Sequence, residues 1–337
     1  MLKKYSKKRS DGAISHRREA QHWPNGKPFR ILSIDGGGIR GILPAQILKL
    51  VESDLLGGGK ICDHVEMICG TSTGGIIAAG LGLGIPADRI LSLYLDEGEE
   101  IFPLQRFSEK ALRAARDVPF RDRRPLDEKL AREFEGLSYG ESKARLVIPS
   151  FDENVEPNVW KTDHHPDYQR DWDLPANAIV AATSAAPIYF AASLAEDRVQ
   201  WDGGLYANNP LMMGLADTLA CYDIDRGDIE VLSLGCGQSK LETPAADAGV
   251  RSWALNLLGT ASSLQSHDCL GQAGLLIGKD SLCRINPAVE VKIELDDYKG
   301  AAQHLPSLGS HSFKNCKSEL RNFFSANADP RERHYTI

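Results

Sequence analysis

The sequence predicts an α/β protein in which a mostly parallel sheet carries helices on its faces. Two stretches carry that prediction. Residues 29–34 read as a short apolar strand that runs into Asp35-Gly36-Gly37-Gly38-Ile39-Arg40-Gly41 and then into a helix starting near Leu43 or Pro44. Residues 65–70 repeat the plan, with an apolar strand, the turn Gly70-Thr71-Ser72-Thr73-Gly74 and a helix of small and aliphatic residues. Parallel strands need a crossover between them, and a helix after each strand supplies it. A chain of 337 residues with 42% hydrophobic and 25% charged residues is large enough to bury such a sheet.

The remaining elements follow in order. The first helix presents Ile47, Leu48, Val51 and Leu55 on one side and stops at Gly57-Gly58-Gly59. Gly82-Leu83-Gly84-Ile85-Pro86 marks a turn before a helix over 86–97. Residues 101–103 read as a packing anchor, 107–118 as a basic amphipathic helix and 126–134 as another helix. The positive cluster at 121–124 reads either as solvated surface or as charge near an anionic substrate. Residues 144–151 are strand-like, whereas 154–172 are polar and turn-rich. Within that second stretch His164, His165 and Asp167 resemble ligand spacing, but Pro166 and the loop composition favour a surface segment. Residues 176–186 form a small-residue helix ended by Pro187, and 195–205 hold a hairpin leading to Asp202. Asn208-Asn209-Pro210 opens a helix to residue 220, and 229–235 is a strand. Helix is expected at 253–258, 269–277 and finally 313–326, with a half-wet strand at 289–295 from its apolar-polar alternation.

Charge is spread unevenly. The net charge of −7 combines nine Lys or Arg against two acidic residues in positions 1–30 with 30 basic and 44 acidic residues beyond them. The basic leader reads as a solvated arm, with adhesion to anionic lipid or to an acidic protein surface as alternatives. It lacks the apolar segment of a signal peptide, and the chain has no run of about eighteen apolar residues to span a bilayer. Seven cysteines without C-x-x-C spacing read as reduced thiols, so a cytoplasmic location is expected. Of these, Cys62, Cys69, Cys236 and Cys269 suit small buried positions better than metal ligation. The turn-rich Trp23-Pro24-Asn25-Gly26-Lys27-Pro28 divides the chain into a basic arm, 1–28, and a core, 29–240. Residues 241–337 are read as the C-terminal part of the same domain, with helices and the amphipathic strand.

The turn around Ser72 fits the G-x-S-x-G nucleophile elbow, whose glycines permit a sharp bend that exposes the hydroxyl beside a helix N-terminus. The bland alternative is a strand-to-helix turn with a capping serine. A serine nucleophile needs a proton acceptor and a place for the charge of a tetrahedral intermediate. Gly36-Gly37-Gly38 offers backbone amides free of side chains, with Arg40 beside them to strengthen the field or hold the loop. Positions 36–41 also satisfy G-x-G-x-x-G, the rival phosphate-cradle reading. Neither the Walker lysine pattern nor an acidic ribose ligand in convincing context accompanies them, so no nucleotide cofactor is expected.

These two stretches, together with Asp202-Gly203-Gly204, Ala182-Thr183-Ser184-Ala185-Ala186-Pro187 and Asn208-Asn209-Pro210, closely resemble the signatures of the patatin-like phospholipases. The resemblance implies a three-layer α/β/α fold with a mostly parallel central sheet, and hydrolysis of fatty-acyl esters of membrane phospholipids through a Ser-Asp dyad. It implies Ser72 as nucleophile and Asp202, 130 positions away, as base. Gly36, Gly37, Gly38 and Arg40 then match the oxyanion loop, Gly70, Gly74 and Gly75 the elbow, and Gly203 and Gly204 the turn at the base. A carboxylate with a reference pKa of ~3.9 is a weak base, so desolvation must raise it or proton transfer must be coupled to attack. No cofactor and no metal is required by this chemistry. A Ser-His-Asp triad would draw on His267, His304 or His311, which lie in no evident motif.

The chain also looks like bacterial patatin-like effectors of anti-phage signalling, some of which are switched on by cyclic di- or trinucleotides. Arg113, Arg116, Arg121, Arg123 and Arg124 are then a source of phosphate-binding charge. A housekeeping lipid hydrolase that needs no ligand, or a non-catalytic lipid- or partner-binding protein on the same scaffold, are the alternatives. The expected partners are a phospholipid membrane surface, which a cytoplasmic enzyme meets peripherally when active, a cyclic nucleotide activator and a second copy in a homo-oligomer. No DNA or RNA polymer is expected.

Overall fold

The computed structural model describes residues 18–335 apart from 106, 240–244, 246 and 248. Eight strands share one sheet: β1 Phe29–Ile34, β2 Met67–Gly70, β3 Arg145–Asp152, β4 Pro157–Lys161, β5 Ser193–Ala195, β6 Arg198–Asp202, β7 Ile229–Leu234 and β8 Leu282–Ile285. Their order is β8-β7-β1-β2-β3-β6-β5, with β4 also paired to β3. The run from β8 to β3 is parallel. Strands β4 and β6 run antiparallel to β3, and β5 antiparallel to β6.

A parallel sheet covered on both faces needs strands that are apolar throughout, because successive side chains leave on opposite sides. In β1, Phe29 and Ile31 enter one layer while Leu32 and Ile34 enter the other. In β2, Met67 and Cys69 part from Ile68 in the same way, as do Ile229 and Val231 from Leu232 and Leu234 in β7. The larger layer is built from α1 Ile42–Leu50, α2 Thr73–Gly82, α3 Ala87–Leu95, α4 Arg124–Glu133 and α5 Ala176–Thr183. Helices α6 Leu211–Cys221 and α7 Val250–Ile277 cover the opposite face, and α8 Tyr298–Asn315 returns to the first. The result is a three-layer α/β/α fold with a largely parallel central sheet.

One detail of the register positions everything that follows. Strand β3 pairs with β2 through Arg145–Val147 and with β6 through Ser150–Asp152, while β4 holds its other edge along both stretches. Strands β2 and β6 therefore lie on the same side of β3 and run toward each other. Cys69 is opposite Val147 and Asp202 is opposite Ser150, three positions or roughly 10 Å along the strand.

Several elements depart from the sequence reading. The strand expected over 289–295 contributes only Ala288–Val289, in a two-residue pairing with Gln238–Ser239. Val289 and Ile293 still turn inward, but the Leu295 carbonyl accepts from the Ile39 N–H, so this backbone serves the glycine loop instead of a ladder. Alternation reports burial, and burial does not require a strand partner. Strands β4 and β8 carry weak signals because Pro157, Asn158 and Lys161, or Arg284, interrupt their apolar character. Helix α7 is continuous where two segments were expected. The last helical region begins at Tyr298, tolerates Pro306 and restarts as Lys317–Phe323 after Cys316. His164 and His165 are buried, not surface groups.

Positions 1–17 of the basic arm lie outside the described residues. Gln21–His22 pairs with Tyr222–Asp223, and the Trp23 ring is buried against Phe29 and Tyr222, where the Arg145 guanidinium lies over all three rings. Trp23→Ala is expected to lower unfolding stability by about 3–5 kcal/mol, measured by urea denaturation. A loss below about 1 kcal/mol would show that this turn is not part of the cooperative unit.

Candidate active site

Ser72 sits at the end of β2 with φ 56° and ψ −122°, a left-handed conformation that costs energy in any residue with a Cβ. The bend closes so tightly that a Cβ on Gly70 would lie 2.0 Å from the Gly74 carbonyl oxygen, and one on Gly74 2.2 Å from that of Ile34. Hydrogen bonds hold the strained turn. The Ser72 N–H donates to Thr183 Oγ1 at 2.9 Å, and that hydroxyl donates to the Pro149 carbonyl at 2.7 Å. Thr71 donates to the Ala207 carbonyl at 2.6 Å and Thr73 to the Tyr94 hydroxyl at 2.6 Å. Although Ser72 heads α2, its side chain makes no capping bond to that helix. The capping-serine reading fails, and the hydroxyl is left for another acceptor.

The titratable group acted on by that hydroxyl is Asp202: the Ser72 hydroxyl lies close enough to lower its pKa, and Asp202 Oδ1 takes the Gly204 N–H at 2.7 Å. Burial pushes its pKa up to about 6, against the pull of the Ser72 hydroxyl, the Gly204 N–H and the Arg123 charge. Gly203 presses against the chain here: a Cβ on it would stand 2.6 Å from the Pro149 carbonyl oxygen. No histidine is among the groups acting on this carboxyl. His267 and His311 are exposed, and His304 is half-buried.

The glycine loop lies alongside, since a Cβ on Gly36 would stand 3.4 Å from the Ser72 Cβ. Its three amides are not equivalent. The Gly36 N–H donates to the Asn208 carbonyl at 2.9 Å, which removes it from the expected oxyanion set. Among the described residues no protein acceptor takes the Gly37 or Gly38 N–H. Arg40 folds back, its Nε 3.4 Å from the Gly37 carbonyl. The loop is moored by Asp35, whose carboxylate meets Arg284 of β8 at 2.9 and 2.6 Å. Arg284 also donates to Ser233 and Ser266. Burial raises the Asp35 pKa and Arg284 opposes it. Sequence reasoning missed Arg284, a single arginine in a short edge strand with no motif around it.

Four of the five arginines expected to supply phosphate-binding charge, all but Arg116, already have protein partners. Arg121 is buried and bound to Asp296, and Arg123 is buried and bound to Asp127 at 2.8 Å and to the Ala181 carbonyl. Arg113 donates to the Pro119 carbonyl, and exposed Arg124 pairs with Asp122. Arg123 instead belongs to the surroundings of Asp202. Elsewhere His164, Asp217 and Cys221 approach one another at metal-ligand spacing. The Asp217 carboxylate, however, already accepts from His164, Lys161 and Tyr168; against its burial, His164 and Lys161 hold its pKa down, so it is a structural anion with its partners in place. The neighbouring ammonium makes this a poor cation site.

The patatin-like phospholipase family matches residues 32–215, more than half of the chain, a span that includes the glycine loop, Ser72 and Asp202 but not Arg284. The chain belongs to the patatin-like phospholipase family. This patatin-like protein is 35% identical over 219 residues to a cGAMP-activated phospholipase of Escherichia coli, covering 61% of each chain. It is 33% identical to one of Vibrio cholerae over 73% of this chain and 74% of the relative, and 33% identical to patatin-like protein 2 of Arabidopsis thaliana over 74% and 70%. Among the described residues no helix is long and apolar enough to cross a membrane.

Desolvation of Asp202 has a measurable consequence. A carboxyl whose pKa is raised on folding favours its protonated form, so the cost of keeping it ionised sets in as pH rises from about 4 to about 6. Asp202→Asn is expected to stabilise the protein at pH 7.5 by on the order of 2 kcal/mol. The difference should close below about pH 4, as checked by thermal unfolding across that range. Equal midpoints for both proteins at pH 7.5 would mean that the carboxyl is not desolvated.

Proposed function

We propose that this patatin-like protein hydrolyses fatty-acyl esters of membrane phospholipids, with Ser72 as nucleophile and Asp202 as its base. The observation that supports the reading is a strained, uncapped serine beside the buried carboxyl of Asp202, whose pKa burial pushes up to about 6. A base poised near the working pH accepts a proton far more readily than one near the ordinary carboxylate value. Proton transfer to Asp202 accompanies attack of Ser72 Oγ on the ester carbonyl carbon. The tetrahedral oxyanion is stabilised by the uncommitted N–H groups of Gly37 and Gly38. Gly36 has a different task, tying the loop to Asn208. The leaving alkoxide of the lysophospholipid takes the proton from Asp202 as the C–O bond breaks. Water then attacks the acyl-enzyme, gives its proton to Asp202, and releases the fatty acid as Ser72 recovers its own. This chemistry calls for no metal and no cofactor.

The relatives named cGAMP-activated phospholipases support a regulated enzyme. The second part of the proposal is that a cyclic nucleotide switches this chain on, in a cytoplasmic anti-phage response that attacks the cell's own membrane. Vesicles of phosphatidylethanolamine and phosphatidylglycerol, with and without added cGAMP, test both parts through release of fatty acid and lysophospholipid. Ser72→Ala and Asp202→Asn are each expected to lose about 10³-fold or more of the wild-type rate. Between pH 6 and 5, wild-type kcat/KM on a soluble short-chain ester should fall about fivefold as Asp202 protonates. Undiminished hydrolysis by either variant overturns the dyad, and equal wild-type rates with and without cGAMP overturn activation by that nucleotide.

A further inference from the structure

We infer that the N-terminal half of α7 is a bilayer-docking surface placed at the mouth of the active site. The inference starts from four large apolar side chains that the fold leaves uncovered: Trp253 at 41%, Leu257 at 56%, Leu264 at 64% and Leu275 at 88% exposure. Spaced 4, 11 and 22 positions from the first, they fall within a stripe roughly 40° wide on an α-helix. Ala261 is also exposed between them. Single exposed leucines are common on protein surfaces, but an aligned stripe on one helix marks an interaction surface.

The direction of α7 places that stripe. Gln265 and Ser266 bind Asn209, and Ser266 also meets Arg284, so this turn of the helix is level with the glycine loop at the carboxyl edge of the sheet. From there α7 descends along the sheet to Ile277, buried beside Ile229, and the chain enters β8 at Leu282, parallel to β7. The fifteen residues from Val250 to Leu264 therefore extend from the carboxyl edge on the side of Ser72, a reach of roughly 22 Å. Leu205, half-exposed in the short helix that follows Asp202, continues the apolar rim.

The chemistry of the segment selects the occupant. Positions 250–267 contain no Asp or Glu, and Arg251 and His267 are their only ionisable residues, in a chain whose acidic excess lies almost wholly beyond position 30. An anionic headgroup meets no like charge between positions 250 and 267, and the acidic residue of α7, Asp268, comes after that stretch. The exposed Trp253, Leu257 and Leu264 on one face are suited to a helix lying in the headgroup–acyl boundary, where binding grows with the apolar area buried. The nature of the surface rests on the hydrolase reading, since a phospholipid ester must be drawn from a bilayer into the site.

Co-sedimentation with phosphatidylethanolamine–phosphatidylglycerol vesicles, with and without cGAMP, tests the surface in a Ser72→Ala background, so that turnover cannot alter the vesicles. The triple variant Trp253→Ser, Leu257→Ser, Leu264→Ser is expected to lose about tenfold or more in partition coefficient. A thermal midpoint within a few degrees of the parent shows that the fold is kept. With Ser72 restored, the same three changes should reduce the ratio of vesicle to soluble-ester hydrolysis by a similar factor. Unchanged partitioning of the triple variant, or a parent that does not sediment under either condition, overturns the proposal. A dimer in light scattering that the triple variant dissolves overturns it too, assigning the stripe to a second copy. Failure of the hydrolase reading is seen separately, as wild-type inactivity on the soluble ester while vesicle binding persists.

Discussion

Two strands running toward each other along one edge of β3 fix where chemistry can take place in this molecule. In an all-parallel sheet every strand delivers its carboxyl end to the same edge, and residues following neighbouring strands stand side by side with loops between them. Here β6 arrives from the opposite direction, so Asp202 at its end faces the turn after β2 across a gap of three β3 residues. That gap is spanned by Thr71 and Ser72 in a conformation that only a tightly braced turn can hold. Thr183 and Pro149 brace both sides at once. Thr183 accepts from the Ser72 N–H and donates to the Pro149 carbonyl, against which Gly203 is packed. The serine and the aspartate are thus registered to each other through β3 and α5, not through their own contact alone.

Placing a carboxyl at such a junction buries it, and its environment divides between what raises its pKa and what restrains it. Desolvation is the largest influence on Asp202, with the Ser72 hydroxyl, the Gly204 N–H and the Arg123 charge acting the other way. Arg123 is itself buried and tied to Asp127, so its field at Asp202 is partly spent locally. An unpaired arginine in contact with the carboxylate would hold it fully ionised and useless as a base. Remote, partly neutralised charge keeps the group titratable near pH 6. Asp35 shows the contrasting solution in the same site: equally desolvated, it is clamped by Arg284 and acts as a mooring.

How legible this was in the sequence depended on whether a feature is local. The strand Phe29–Ile34 and the bend at Ser72 depend on neighbours a few positions away, and apolar runs beside glycines disclose them. The pairing of Ser72 with Asp202 depends on strand order, which no periodicity encodes, and only the family resemblance pointed to it. Functional amides were legible as a group but not individually: three glycines look alike until Asn208, distant in sequence, takes the N–H of one. Arg121 misled because a cluster of arginines reads as a surface while its partner Asp296 lies far along the chain, whereas the partner of Arg123, Asp127, stands only four positions on. His164 and His165 misled for a similar reason, since a polar loop composition does not reveal Asp217 waiting beneath it.

The long helix that carries the apolar stripe is joined to the chemistry by few but direct contacts. Ser266 accepts from both Asn209 and Arg284. Through Arg284 it reaches Asp35, the residue before the glycine loop, and through Asn209 it adjoins Asn208, whose carbonyl holds Gly36. A displacement of α7 along its axis therefore strains both attachments of the loop at once. The bilayer contact inferred above would act on the helix that Ser266 ties to Asn209 and Arg284. Because interaction energy that differs between two positions of the helix is what shifts their populations, a surface bound more tightly in one position would bias the anion site as well as hold the enzyme to its substrate.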